Sequence, residues 1–206
     1  MEDVLEVYHR EYDDHTVLVC LDETSRQQTL ETRHPLPVRP GQPACYDYEY
    51  TRNGTANLFM LSAPLLGWRH VKVTNRRTKP DLAHVLKDLA DVHFPEKKIV
   101  LVMDNLNTHK LSTLYNAFKP AEARRLANRF EVHYTPKHGS WSHMAAIAIN
   151  VMTRQCLARR IPDRATMEQK TKAWVDYRNE TAKPINWQFK TEDARIKLKS
   201  LYPSIQ

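Results

Sequence analysis

The sequence predicts a mixed α/β domain with helices on the faces of the sheet. Two observations carry that expectation. TVLVCLD (16–22) and IVLVMDN (99–105) are unbroken apolar runs, each ending in an acid. Runs of this kind suit central strands covered on both faces. The order of elements is strands, helix, strand, helix, strand, then helices, which places helices against a sheet.

YDYEY (46–50), TANLFMLSAPL (55–65) and WRHVKVT (68–74) read as strands. Asn53-Gly54 is a hairpin signal between the first two, and Gly67 turns the chain before the third. HPLPVRPGQP (34–43) is a Pro-rich loop. Thr78 is an N-cap, followed by a helical stripe of Leu82, Val85, Leu86, Leu89 and Val92. Pro80 sits in the first turn, where it is tolerated. Residues 110–128 read as helical with a break near Pro120, and FEVHYT (130–135) reads as a strand. A long helix is expected from about Trp141 to Arg160, with Met144, Ala145, Ala148, Val151 and Met152 facing inward. Helices over 165–180 and 191–201 complete the chain, with Trp174 and Trp187 as packing residues.

The 206 residues suffice for one good-sized domain. Mean hydropathy is −0.63 and no long apolar run occurs, which argues against a membrane span. The acidic N-terminus lacks the apolar segment of a secretory signal. Cys20, Cys45 and Cys156 form neither a disulfide framework nor a zinc pattern, so a reducing, cytoplasmic setting is expected. The net charge of +7 is unevenly spread. Residues 50–80 and 132–162 are basic and contain no Asp or Glu. Such segments either form solvated surface or attract phosphate backbones by Coulomb interaction and counterion release.

Asp22 and Asp104 each end a buried strand. If the strands are parallel neighbours, the two carboxylates repel unless a cation neutralises them, and oxygen ligands of this kind suit Mg²⁺ or Mn²⁺. Acids also follow strands simply because loops are polar. Asn105 and His109, in DNLNTH, can bond a metal-bound water or a phosphate; Asn105, Asn107 and Thr108 equally well make a turn. Glu23 alternates away from Asp22 along the strand and receives no metal role.

LDETSRQ, NGTANLFM, GWRHVKVT, RRTKPDLAH, VLVMDNLNTH, HYTPKHGSW, RQCLARRIPD and NWQFKTEDARIKLK occur in this order. Together they resemble bacterial insertion-sequence transposases of the IS-six-thirty branch, within the mariner-like superfamily of DDE enzymes. The resemblance runs from about Val17 to the C-terminus. It implies a ribonuclease-H-like fold, a central mixed sheet flanked by helices, and DNA cleavage and strand transfer with two Mg²⁺ or Mn²⁺ ions. Asp22 then matches the first catalytic, metal-holding acid and Asp104 the second. Asn105, His109 and His143 stand around them.

The third acid of the family is a Glu early in the long helix, following a Leu-Asn pair. Here Ser142-His143 occupy the pair and Ala146 the Glu position. Alanine cannot ligate a metal, and imidazole from His143 is a poor ligand for Mg²⁺. One ion at most is therefore expected. The triad is incomplete, so the resemblance implies either an impaired catalytic domain or an inactive DNA-binding or protein-interaction module. Candidate DNA contacts are Arg76, Arg77, Lys79, Lys137, His138 and Trp141; a Trp at a helix start also serves as a core anchor.

Family transposases carry helix-turn-helix modules ahead of the catalytic domain. Here residues 1–15 read as a remnant of linker and 16–206 as the catalytic domain, without those modules. The partners this implies are DNA, as transposon ends and target, and an intact transposase or upstream DNA-binding protein. Homo-oligomers occur in the family. A bacterial, nucleoid-associated location follows from the same resemblance.

Overall fold

The computed structural model describes residues 1–45, 47–136, 140–181 and 183–202. Its centre is a five-stranded sheet of order β3-β2-β1-β4-β5. The strands are β1 (Thr16–Glu31), β2 (Tyr50–Ala63), β3 (Trp68–Thr74), β4 (Lys98–Met103) and β5 (Phe130–Tyr134). β2 pairs antiparallel with both β1 and β3, whereas β4 pairs parallel with both β1 and β5. The two unbroken apolar runs thus become the two central strands of a mixed sheet, as their composition requires.

Alternation along the strands sorts the core into two layers. Leu18, Cys20, Leu58, Met60, Val100 and Val102 face one side. There they meet α1 (Glu2–His9), α5 (Met144–Gln155) and α6 (Arg164–Thr181). Val17, Val19, Leu21, Phe59, Ile99 and Leu101 face the other side. There α2 (Lys79–Asp88), α3 (Leu114–Ala117) and α4 (Pro120–Ala127) cover them. α7 (Thr191–Lys197) lies near the C-terminus and touches α1.

The N-terminal stretch, read above as linker, contains a packed helix. Val4, Leu5, Val7 and Tyr8 of α1 are buried, and the Tyr8 hydroxyl donates to the Ser142 carbonyl at 2.8 Å. At its other end, Glu2 pairs with Arg195 of α7 at 2.8 Å.

Several local expectations change. Asn53-Gly54 does not turn a hairpin; both residues lie inside β2. Gly54 has φ of +87°, and β1 shifts register between Gln27 and Thr29 opposite this part of β2. The glycine serves an irregularity within the long pair rather than its end. Of YDYEY, Tyr46 lies outside the described residues, residues 47–49 are not strand, and Tyr50 opens β2. Gly67 turns the chain as expected, with φ of +65°. Thr78 caps α2, its amide donating to Asp81 Oδ2 at 2.8 Å. Val92 leaves the inward stripe and is 68% exposed. Residues 89–93 form a π-turn, whose wider spacing rotates Val92 off the buried face. The long helix is shorter than expected: a 3₁₀ turn over Ser140–Ser142 precedes α5, which ends at Gln155. Trp174 is buried, its indole donating to Gln155 at 2.8 Å. Among the described residues no helix is long and apolar enough to cross a membrane.

His70 of β3 stacks on Trp68, with its ring 4.3 Å from that of His93. Burial, then repulsion from His93 and Lys72, lowers the His70 pKa to about 4, against a weaker pull from Asp88. The unfolded residue titrates near 6.5, so between these values the unfolded chain holds the extra proton. Stability from this site is therefore complete above about pH 6.5 and is lost as pH falls towards 4. Urea midpoints should show His70→Phe losing less stability between pH 7 and pH 5 than the unaltered chain, by about 1–2 kcal/mol after solvent screening. An equal loss in both would assign the acid sensitivity elsewhere.

Candidate active site

The parallel register of β1 and β4 builds the site. Cys20 lies opposite Val102, so two residues further on Asp22 and Asp104 come level; only Asp104 follows a strand end, because β1 does not stop at Asp22 as expected but runs on to Glu31. Asp22 is still within β1, paired with Met60 of β2, while Asp104 begins the turn after β4. Burial raises the Asp22 pKa to about 6, helped by the negative charge of Asp104 and opposed by the Glu23 amide, which donates to Asp22 Oδ1 at 2.8 Å. Burial pushes Asp104 upward too, but its bond to His109 outweighs that and holds it below the usual carboxylate range.

His109 is almost fully enclosed, at 1% exposure. The turn after β4 brings it back, its amide donating to the Leu106 carbonyl at 2.9 Å. Nδ1 then contacts Asp104 Oδ1, and Nε2 lies 2.6 Å from Glu23 Oε2. Burial disfavours the charged imidazole, yet the two carboxylates prevail and raise its pKa to about 9. His109 is thus an imidazolium held between Asp104 and Glu23. The Glu23 side chain is only 4% exposed, and Arg77 Nη1 approaches it at 3.8 Å.

The reading of the sequence gave Glu23 no metal role because it alternates away from Asp22, and β1 does send the two residues to opposite faces. That reading missed the link through His109. Sequence spacing held no sign of it beyond the acid itself, because the contact joins residues 86 apart in the chain.

The start of α5 is fastened beside Asp22. His143 Nε2 lies 3.0 Å from the Leu21 carbonyl, one residue before Asp22, and so carries the proton of that bond. The Tyr8 bond to the Ser142 carbonyl holds the preceding turn. Burial lowers the His143 pKa to about 4, leaving a neutral ring whose Nδ1 has no partner among the described residues. Ala146 follows in the first turn of α5, half-buried, and that turn contains no acid. Asn105 is exposed in the turn after β4.

Arg76, Arg77 and Lys79 are exposed between β3 and the start of α2, with Arg77 nearest the carboxylates through Glu23. Trp141 is 38% exposed and packs edge-on to Phe189 at 5.5 Å. Lys137 and His138 lie outside the described residues.

Glu23 and His109 occupy one oxygen of each Asp, and no protein donor among the described residues takes the second oxygen of either. Two partly buried carboxylates, each with an oxygen to spare, fit a hard divalent cation completed by water. No group of three or more His, Cys, Asp and Glu side chains suited to a metal ion occurs among the described residues.

No curated protein matches the chain. Among solved structures, the Mos1 strand transfer complex is similar at a TM-score of 0.57 and 16% identity, over 89% of this chain and 52% of that one. The Mos1 mariner paired-end complex with Mn is similar at 0.55 and 18% identity, over 85% and 52%. The Mos1 transposase paired-end complex with the left transposon end is similar at 0.56 and 16% identity, over 89% and 54%. This chain therefore spans about half the length of those chains. At these identities the likeness shows the fold, the ribonuclease-H-like sheet with its flanking helices. A family model described as DDE superfamily endonuclease matches residues 17–168, most of the sequence, and the chain belongs to that family.

Proposed function

We propose that this chain is the catalytic domain of a transposase of the IS-six-thirty branch, built for DNA cleavage and strand transfer but impaired at Ala146. The observation that carries the reading is the level placement of Asp22 and Asp104 on parallel neighbours. Two like charges brought together in a partly buried site cost free energy, which a bound cation recovers while leaving both carboxylates ionised. Asp22 and Asp104 would hold Mg²⁺ or Mn²⁺. Such ions supply an activated oxygen nucleophile and stabilise the leaving oxygen of a phosphodiester.

The chain's own residues prepare the site. The Glu23 amide fixes one oxygen of Asp22, and His109 fixes one oxygen of Asp104. The exposed Arg76, Arg77 and Lys79 hold DNA phosphates at the rim, with Trp141, Lys137 and His138 as further contacts. What is missing is a third carboxylate from α5. That absence favours a second reading, a catalytically inactive relative that binds DNA or joins a complex with intact transposase. The retained carboxylate pair favours the first.

Mn²⁺ titration followed by electron paramagnetic resonance tests the reading. One weakly held ion is expected, lost in both Asp22→Asn and Asp104→Asn. Two tightly held ions would sink the claim of an incomplete site. Mn²⁺ binding indifferent to both substitutions would sink the carboxylate pair as a metal site.

A further inference from the structure

A second feature lies on the α5 side of the sheet, in a pocket that reaches the first turn of α5. A cavity of about 140 Å³ opens between β2, β3, α5 and α6. Apolar side chains of α5, with Ile185, form most of its lining, and Ser62, Arg69, Arg178 and Trp187 supply the polar part. Arg69 is only 6% exposed. Its Nη1 donates to the Gly67 carbonyl at 3.0 Å. Burial and the neighbouring Arg178 both lower its pKa. Among the described residues neither arginine forms an ion pair. The Nε of Arg178 and the Nε1 of Trp187 are buried without a partner there.

This arrangement is built rather than incidental. Asn179, next to Arg178, clamps the Arg69 backbone from both sides, accepting from its amide at 2.8 Å and donating to its carbonyl at 2.8 Å. The clamp fixes α6 on β3 and so sets the two guanidinium groups side by side. Two neighbouring cations with little water and no counter-charge are costly, as are buried N–H groups without acceptors. A bound anion relieves both costs.

We propose that this cavity is a binding site for a single phosphate group. Two guanidinium groups, an indole N–H and a serine hydroxyl line it, and the Nε of Arg178 and the Nε1 of Trp187 still lack an acceptor. A tetrahedral oxyanion offers enough acceptor oxygens for all of them, whereas a carboxylate offers only two. The size agrees: the cavity equals roughly four or five waters' share of liquid volume, room for one such group and too little for a run of backbone. The phosphate comes either from a small molecule or from the end of a DNA strand. The proposal does not rest on the catalytic reading.

The test is calorimetry at low salt without divalent metal, so that catalytic competence cannot affect it. Inorganic phosphate is titrated into the unaltered chain, Trp187→Phe and Arg178→Gln, with circular dichroism and thermal melts confirming the fold of each. One saturable site is expected. Trp187→Phe leaves every charge in place, so general attraction to a basic protein stays constant. Loss of the indole donor should still weaken phosphate about tenfold, the equivalent of one hydrogen bond to a charged group. Arg178→Gln should weaken it further. A folded Trp187→Phe chain with unchanged affinity, or no saturable binding to the unaltered chain, overturns the proposal. Oligonucleotides with a 5′-phosphate or a 5′-hydroxyl separate the two sources. Preference for the phosphorylated end that disappears in Trp187→Phe assigns the site to a strand end. Saturable inorganic phosphate binding without that preference assigns it to a small phosphate.

Discussion

Replacing Ala146 with Glu is expected to raise DNA nicking and strand transfer in Mn²⁺ by about 10²-fold or more, the scale of adding a charged group where charge develops. His143 ties the entrance of α5 to the Leu21 carbonyl, and Tyr8 ties the preceding turn. The first turn of α5 is therefore held beside the part of β1 that bears Asp22. Ala146 lies in that turn and is only half-buried, so a longer side chain has space. A carboxylate there also faces the positive end of the helix dipole, which favours it by roughly 0.3–1 kcal/mol. The substitution should leave the fold unharmed and supply the third acid the proposed chemistry lacks. High protein concentration and low salt are needed, because phosphate contacts weaken steeply as salt rises. Cutting by Ala146→Glu alone, abolished again by Asp104→Ala, supports an otherwise intact site. Cutting by the unaltered chain, also abolished by Asp104→Ala, would show that another group completes the site and would overturn the account of Ala146. Cutting by neither form, with DNA and Mn²⁺ both bound, would favour the inactive-module reading.

Much of this site was legible in the sequence because it depends on short-range pattern. Unbroken runs such as TVLVCLD and IVLVMDN announce central strands, and an acid at the end of each needs only a parallel pairing to become a pair. Thr78 and Gly67 were legible because caps and left-handed turns select particular residue types. Asn53-Gly54 misled because a glycine with positive φ serves an irregularity inside a strand as well as a hairpin, and only the long β1–β2 register distinguishes them. α1 was not legible because its burial depends on distant partners such as Arg195 and Ser142. The same holds for the departures at Ser142 and His143. As sequence they look like loss of the Leu-Asn pair. In the fold, the Ser142 carbonyl and the His143 ring hold α5 in place, so the replaced pair still has a structural task.

The second large effect is expected at His109. Removing the imidazole in His109→Ala leaves Glu23, 4% exposed, with Arg77 at 3.8 Å as its one remaining ion-pair partner among the described residues. Breaking a buried pair from one side costs about 3 kcal/mol or more. The pH dependence has a definite sign. The folded pKa of about 9 stands above the unfolded value near 6.5. The pair's contribution is complete below about pH 6.5 and is lost as pH rises through 9. Stability alone does not show that His109 positions Asp104, so a second readout is needed. Bonded to His109, Asp104 presents a fixed free oxygen, while Glu23 offsets the imidazolium charge that would otherwise repel a cation. His109→Ala should therefore weaken Mn²⁺ binding about 10- to 100-fold, the usual scale for a group that orients a ligand. The double replacement Glu23→Leu/His109→Phe removes both buried charges and should recover much of the lost stability. It should not recover Mn²⁺ affinity, because Asp104 remains unheld. If affinity returns together with stability, the Glu23–His109 pair only supports the fold. If stability returns and affinity does not, the pair acts on Asp104, and the reach of the site extends through the sheet to a residue on its opposite face.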